Sequence, residues 1–115
     1  MGQPIIHVEI MGKNAVGLQK FYGELFGWQI GEPQAEMGNY AMVDAASSGV
    51  AGGIGEEPGG QTRVTVYVEV PDLQAGLDRA VALGGRVVMP PMELPGVTMA
   101  QFADPDGNIT GLVKS

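Results

Sequence analysis

The sequence predicts an α+β fold in which one β-α-β-β-β module occurs twice in tandem. When the chain is compared with itself at a displacement of 58 residues, the two halves align without a gap. Val8 then falls on Val66, Gly27 on Gly85 and Gly53 on Gly111. Both halves also show the same order of elements, which an abundance of glycine alone does not produce. We therefore expect one domain over residues 1–115, with a first module at about 4–56 and a second at about 62–115.

The first module begins with alternating apolar residues over Ile5–Met11, which is the period of a β-strand. A helix is expected over Ala15–Phe26, because apolar residues recur there every three or four positions. Asn14 is its expected N-cap and Gly27 its stop. The stretch Gly52–Gln61 is rich in Gly, Glu and Pro and indicates the connector between modules. Three short strands are expected near 28–31, 40–44 and 50–54.

The second module repeats this order. A strand is expected over Val64–Val70 and a helix over about Leu73–Leu83, capped by Asp72 and ended by Gly84-Gly85. The remaining strands are expected near 86–89, 97–102 and 108–113.

The first strand of each module has an aliphatic face and a polar face. We expect the aliphatic face to lie under the helices; it carries Ile6, Val8, Ile10, Val64, Val66, Val68 and Val70. The polar face carries His7, Glu9, Arg63, Thr65, Tyr67 and Glu69. Two such faces curving round a shared cup indicate a ligand site, although a solvent-exposed sheet face has the same pattern.

Composition excludes several classes of function. Thirteen acidic and six basic residues give a formal charge of −7, which argues against nucleic acid and anionic membranes as partners. The chain has no cysteine, so disulfides, thiolate metal sites and cysteine nucleophiles are excluded. No apolar run reaches the ~20 residues of a membrane span, and no signal-peptide pattern is present, so we expect a cytoplasmic protein.

Two polar or glycine-rich segments have structural interpretations. Gly52-Gly53-Ile54-Gly55 is not followed by the Lys-Ser/Thr pair of a phosphate loop, and we interpret it as an edge strand and turn. Asp104-Pro105-Asp106-Gly107-Asn108 has turn-forming residues at every position, so we expect Asp104 and Asp106 to shape a turn rather than to act in catalysis.

Two motifs carry a family resemblance. Phe21-Tyr22-Gly23-Glu24-Leu25-Phe26-Gly27-Trp28 resembles the first-helix signature of the vicinal oxygen chelate superfamily, which includes glyoxalases, bleomycin-resistance proteins and extradiol dioxygenases. Asp104–Asn108 resembles the final-turn signature of the same superfamily. The resemblance covers nearly the whole chain. It implies that the two modules form an open, cup-like barrel sheet, the glyoxalase/bleomycin-resistance fold, in a homodimer with a ligand pocket in each barrel.

The resemblance also implies three positions for metal ligands. His7 occupies the first, but Thr65 stands where a second histidine is usual and Gly111 where a glutamate is usual. Because one imidazole does not hold a divalent ion against water, we expect no metal and regard enzyme activity as uncertain. The alternative is a displaced site for Zn, Ni, Mn or Fe, with His7, Glu9 and Glu69 as a facial triad.

The resulting functional prediction is a metal-free protein that binds an antibiotic or a metabolite in the cup. The candidate pocket residues are His7, Glu9, Thr65, Tyr67, Glu69, Gln101 and Gly111. Two alternatives stay open. One is a metal-dependent glyoxalase-like lyase or isomerase, or an extradiol-type dioxygenase; the other is a module that binds no small molecule and serves only as a partner domain.

Overall fold

The computed structural model describes residues 2–114. Over these residues the secondary structure is mixed α+β, as predicted. Its strands are β1 (Ile5–Gly12), β2 (Ala41–Val43), β3 (Gly52–Glu56), β4 (Arg63–Val70), β5 (Arg86–Leu94), β6 (Val97–Ala103) and β7 (Ile109–Lys114). Its α-helices are α1 (Ala15–Phe26), α2 (Ala45–Ser48) and α3 (Leu73–Ala82), and a single 3₁₀ turn covers Ala35–Met37. The chain divides into two compact units, His7–Val64 and a second unit of residues 2–6 with 65–114.

In the unit His7–Val64, β3 lies between β1 and β2. It pairs in parallel with β1 and antiparallel with β2. The interpretation of Gly52-Gly53-Ile54-Gly55 as an edge strand is therefore wrong, because this segment is paired on both sides. The expected connector is also wrong over its first five residues, which belong to β3 and are buried or half-buried.

The predicted helix α1 is confirmed with its caps. The Asn14 side chain accepts a hydrogen bond from Gly17 N–H, and Gly27 ends the helix in the left-handed conformation. The expected strand at 28–31 is reduced to one bridge between Ile30 and Val43. Pro33, which has no N–H to pair, follows closely, and the Trp28 ring stacks on Tyr22 instead of extending the sheet.

In the second unit the strand order is β4-β7-β6-β5, with β4 and β7 parallel and the other pairs antiparallel. Asp72 is the N-cap of helix α3, and its side chain accepts a hydrogen bond from Ala75 N–H. Its Leu73 and Leu77 form a buried core with Ala100 and Leu112.

The aliphatic face of β4 lies under α3 only in part. Val68 and Val70 pack against the core, as expected. Val64 is 66% exposed, which contradicts the prediction for it. Val64 belongs to the unit His7–Val64, whereas Val68, Val70 and α3 belong to the second unit. The opposite face is the more buried one, with Thr65 and Tyr67 at 1% and 3% exposure.

The segment Asp104–Asn108 forms a turn, as predicted. Asp104 Oδ1 accepts from the N–H groups of Asp106 and Asn108, and its Oδ2 accepts from the Asn108 side chain. These hydrogen bonds, the one from the Asn108 side chain first, lower the pKa of Asp104. No helix in the described part of the chain is long and apolar enough to span a membrane.

Candidate functional site

The unit His7–Val64 holds a tyrosine over a glycine-rich strand. The ring of Tyr40 lies where side chains of Gly53 and Gly55 would project: a Cβ on Gly53 would lie 1.9 Å from Tyr40 Oη, and one on Gly55 2.6 Å from Tyr40 Cδ2. Any residue with a side chain at either position would displace the ring. The glycines of β3 therefore fix where the phenol lies.

The phenol of Tyr40 joins two side chains of β1. Tyr40 Oη donates to Glu9 Oε2 at 3.0 Å and lies 2.8 Å from His7 Nε2. Because the phenol has one proton and gives it to Glu9, the His7 Nε2–H donates to the phenol oxygen. The chain of hydrogen bonds thus runs from His7 through Tyr40 to Glu9.

Arg63 continues this chain on the other side of Glu9. Arg63 Nη2 lies 2.8 Å from Glu9 Oε1, and Arg63 Nε lies 2.6 Å from Glu57 Oε2. Burial alone lowers the pKa of Arg63, but the two carboxylates outweigh burial and raise it. Glu9 is only 7% exposed, so the guanidinium supplies the charge that a buried carboxylate needs. One cation and two anions leave this cluster with a net negative charge.

His7 is neutral in this environment. Burial lowers the pKa of His7, because the imidazolium loses its hydration, and the negative charge of Glu9 opposes this only in part. A neutral ring with its proton on Nε2 agrees with the hydrogen bond that it donates to Tyr40.

Hydrogen bonds from a side chain of α1 position the turn next to Tyr40. The buried Gln19 side chain donates to the carbonyls of Asn39 and Ile54, both at 2.8 Å. Asn39 has a positive φ of 54°, and its side chain donates to Glu56 at 3.1 Å. These contacts tie the backbone next to Tyr40 to β3 and α1.

The second unit holds a separate polar pair. The Gln101 side chain donates to Tyr67 Oη at 2.8 Å, and both residues are buried. The Tyr67 ring covers Gly111, whose Cβ, if present, would lie 2.1 Å from Tyr67 Cδ2. Tyr67 and Gly111 are direct partners in the β4–β7 pairing.

The structure therefore places the predicted residues in two sets. His7 and Glu9 belong to the first unit, and Tyr67, Gln101 and Gly111 to the second, together with the buried Thr65 and the half-buried Glu69. The sequence analysis did not assign Tyr40 or Glu57 to the site, and it placed Arg63 only on the polar strand face. One signal was available for Tyr40: Gly53 and Gly55 are two apart on a strand, which leaves one face open for a large ring.

The three positions where the resemblance implies metal ligands do not fit a metal centre. The His7 ring is hydrogen-bonded to Tyr40, the Thr65 hydroxyl is a weak neutral metal ligand, and Gly111 lies under the ring of Tyr67. In residues 2–114 no group of three or more histidine and acidic side chains is placed to hold a metal ion. The displaced alternative needs Glu9 as a metal ligand beside His7 and Glu69. The Glu9 carboxylate already accepts hydrogen bonds from Tyr40 and Arg63, so it does not fit this role.

Comparison with known proteins decides the family, since the glyoxalase-like domain family matches residues 8–113. The chain belongs to this family. The resemblance inferred from the sequence is confirmed. In Mycobacterium tuberculosis and Mycobacterium bovis, a protein named "Putative glyoxylase CFP32" is 29% identical over 112 residues, which cover 91% of this chain. The alignment covers 43% of that protein, so the chain spans less than half the length of these curated relatives.

Solved structures share the fold of this glyoxalase-like domain. Methylmalonyl-CoA epimerase from Mycobacterium tuberculosis superposes with a TM-score of 0.68 at 17% identity, covering 96% of this chain and 86% of its own. A glyoxalase/bleomycin resistance protein/dioxygenase superfamily member from Vibrio splendidus gives a TM-score of 0.67 at 16% identity, covering 99% and 100%. The glyoxalase/bleomycin-resistance fold predicted from the sequence is confirmed.

Proposed function

We propose that this glyoxalase-like domain binds a small organic molecule, an antibiotic or a metabolite, without a metal ion. The observation that carries the proposal is the Tyr67 ring over Gly111. In the superfamily pattern, a glutamate at the position of Gly111 supplies a metal-binding carboxylate. Here the Tyr67 ring leaves no room for the Cβ atom of such a side chain. The space that a metal-binding side chain would need at position 111 is filled by the Tyr67 ring, whose hydroxyl is hydrogen-bonded to Gln101.

The charge of the first cluster favours a cationic ligand. Glu9, Glu57 and Arg63 together carry a negative charge, and the whole chain has a formal charge of −7. The preference rests on the net charge of the cluster, because Arg63 pairs with both carboxylates and its single positive charge compensates only one of them. Neutral His7 and Tyr40 add groups that exchange hydrogen bonds without adding positive charge.

The experiment is thermal unfolding and calorimetry with two probes taken from the names of the fold relatives: bleomycin, which is cationic, and methylmalonyl-CoA, which is anionic. We expect bleomycin to raise the melting temperature in the presence of EDTA, where neither the probe nor the protein carries a metal ion. At a ligand concentration of a hundred times Kd, the stabilisation is about 2.7 kcal/mol. Binding or turnover of methylmalonyl-CoA that needs one of these metals would overturn the proposal and support the lyase or isomerase alternative.

A matched pair of variants tests the charge argument. Glu9→Gln removes the buried carboxylate, and we expect it to weaken bleomycin binding by at least tenfold. Glu36→Gln makes the same charge change at an exposed residue of the 3₁₀ turn and is expected to change affinity less than twofold. Equal effects of the two variants would mean that only the overall charge of the chain matters. If neither probe binds, a wider panel of cationic amines at millimolar concentration decides between a ligand site and a module without one.

A further inference from the structure

The aliphatic face of the unit His7–Val64 has a hollow of about 210 Å³, which we call the β3 hollow. The apolar side chains that line it are Val8, Ile10, Trp28, Val43, Val50 and Ile54. Both of its β1 residues alternate along the strand with His7 and Glu9, so the hollow lies on the opposite face of β1 from the polar cluster. Because Val50 is 41% exposed and Trp28 is half-buried, the hollow is reached from solvent.

The β3 hollow follows from a glycine on an otherwise aliphatic face. Gly52 pairs with Val8 on one side and with Val43 on the other, and it has no side chain to fill the space between the two valines. In the second unit the residue 58 positions later is Thr110, and its partner on β6 is Phe102, which packs against the buried core. The second unit therefore has a phenyl ring and a threonine in the row where the first unit has a valine and a glycine.

The lining of the β3 hollow favours an uncharged aromatic ligand. Within residues 2–114, no charged side chain lines it, so a charged ligand would lose its hydration without compensation. Trp28 supplies an aromatic wall, with which another ring makes favourable stacked or edge-to-face contacts. The Trp28 ring is held in place by stacking on Tyr22, at 5.6 Å between ring centroids, and by Phe26 at 5.2 Å. A wall that is ordered before the ligand arrives lowers the entropy cost of binding.

The size of the β3 hollow sets the size of the ligand. An apolar cavity of about 150 Å³ binds benzene. The hollow of about 210 Å³ therefore has room for one ring with a small substituent. The equivalent row of the second unit also holds one phenyl ring, that of Phe102.

We infer that the β3 hollow is a second binding site, which takes a neutral molecule with a single aromatic ring. The inference does not rest on the proposed function, because the hollow lies on the other face of β1 and selects against charge. The two are tested with different probes, so either fails without the other.

The test uses Trp28, which is the only tryptophan in the sequence, as its reporter. The full chain is titrated with toluene, and its fluorescence is excited where neither tyrosine nor toluene absorbs. A saturable change in emission is expected, with Kd of about 0.1–1 mM. Benzylamine carries the same ring with a positive charge and is expected to bind at least tenfold more weakly. No saturable change with toluene, or equal affinity for the two probes, would overturn the inference.

A filled hollow is the matching variant. Val43→Phe places a phenyl ring in the row where the second unit has Phe102, and it is expected to weaken toluene binding at least tenfold. Circular dichroism checks that this variant is folded; if it is not, Val50→Phe makes the same test at an exposed residue of the lining. Val97→Phe is the control, because Val97 is 37% exposed on β6 and does not line the hollow, and it is expected to change Kd less than twofold. Undiminished toluene binding by a folded, filled variant contradicts the inference.

A ring on a peptide backbone distinguishes a free ligand from a side chain of another protein. N-acetylphenylalaninamide carries the same ring as toluene between two peptide groups. It is expected to bind at least tenfold more weakly than toluene, because its peptide groups would lose hydration against an apolar lining. Binding as tight as that of toluene would refute a small-molecule site and assign the β3 hollow to a side chain of a partner protein.

Discussion

Replacing Gly111 by alanine tests the packing on which the proposed function rests. The added Cβ would lie 2.1 Å from Tyr67 Cδ2, 2.2 Å from Cε2 and 2.6 Å from Cγ. Carbon atoms pack at about 3.5–4.0 Å, so the ring must retreat by roughly 1.5 Å. Because Cγ is among the atoms in conflict, rotating the ring about its axis does not relieve the contact.

The cost follows from what the ring loses by moving. Overpacking of a buried site costs about 1–3 kcal/mol. A retreat of this size also breaks the hydrogen bond from Gln101 to Tyr67, which is 2.8 Å long and buried, at about 1 kcal/mol. We expect Gly111→Ala to lower the free energy of unfolding by about 2–4 kcal/mol. For a chain of 115 residues this corresponds to a fall in Tm of about 8–16 °C.

The assay is urea unfolding followed by circular dichroism, with thermal unfolding as a second measurement. Gly31→Ala is the control, because the nearest atom to its Cβ, the Met42 carbonyl oxygen, would lie 3.8 Å away. We expect Gly31→Ala to change stability by less than about 0.5 kcal/mol. In a Tyr67→Ala background, Gly111→Ala should cost little, since the ring is gone. The reasoning is refuted if Gly111→Ala in the unaltered chain melts within 2 °C of the parent.

The other predictions concern the polar groups of the unit His7–Val64. Lowering the pH below about 6.5 is expected to reduce stability, because His7 takes up a proton in the unfolded chain but, with its lowered pKa, not in the folded one. In urea titrations from pH 5 to 8, His7→Gln should remove this dependence of the free energy of unfolding on pH. Gln19→Ala removes a buried donor from the carbonyls of Asn39 and Ile54 and is expected to cost about 2–3 kcal/mol in urea unfolding, whereas Gln74→Ala, at an exposed position of α3, should cost under about 0.5 kcal/mol. Arg63→Met is expected to cost about 2–3 kcal/mol, because it removes the guanidinium that pairs with the buried Glu9 carboxylate; adding Glu9→Gln should recover part of this loss, and no recovery would contradict the ion-pair argument.

Much of the fold was predictable from the sequence because its signals are local. The α1 helix and its caps follow from apolar spacing, Asn14 and Gly27, and the β-strand of the second module from alternating residues. The segment Gly52–Gly55 was expected to be a strand, but its assignment to a sheet edge with a turn was wrong, because glycine is ordinarily a sign of turns. Its glycines make room for the ring of Tyr40, which lies on a different segment. The spacing of Gly53 and Gly55 leaves room for a large ring, but no local pattern reports that Tyr40 supplies it.

The candidate site was predictable only as strand faces. Alternation placed His7 and Glu9 on one face, and both join one hydrogen-bonded cluster. The partners Tyr40 and Glu57 lie on other segments, and sequence spacing does not report which segments meet. Gln19 was hidden for a different reason: a glutamine in an amphipathic helix is normally a solvated residue, and here it is 7% exposed.

The two modules solve the same packing problem in different ways, and this difference bears on function. Glu9 pairs with Gly53 in the first unit, and Tyr67 with Gly111 in the second, so the register of the duplicated strands is the same. In the second unit the strand residue itself, Tyr67, covers the glycine. In the first unit the equivalent residue is the carboxylate of Glu9, and Tyr40 from a neighbouring segment covers the glycine instead. The first unit can therefore hold a buried charge where the second holds a neutral phenol. The backbone pairing of the duplicated strands is the same whichever side chain covers the glycine. Side chains at equivalent positions therefore differ between the units and form a charged cluster in the first and an uncharged pair in the second. This asymmetry is the reason to test the proposed cation preference at Glu9 rather than at Tyr67.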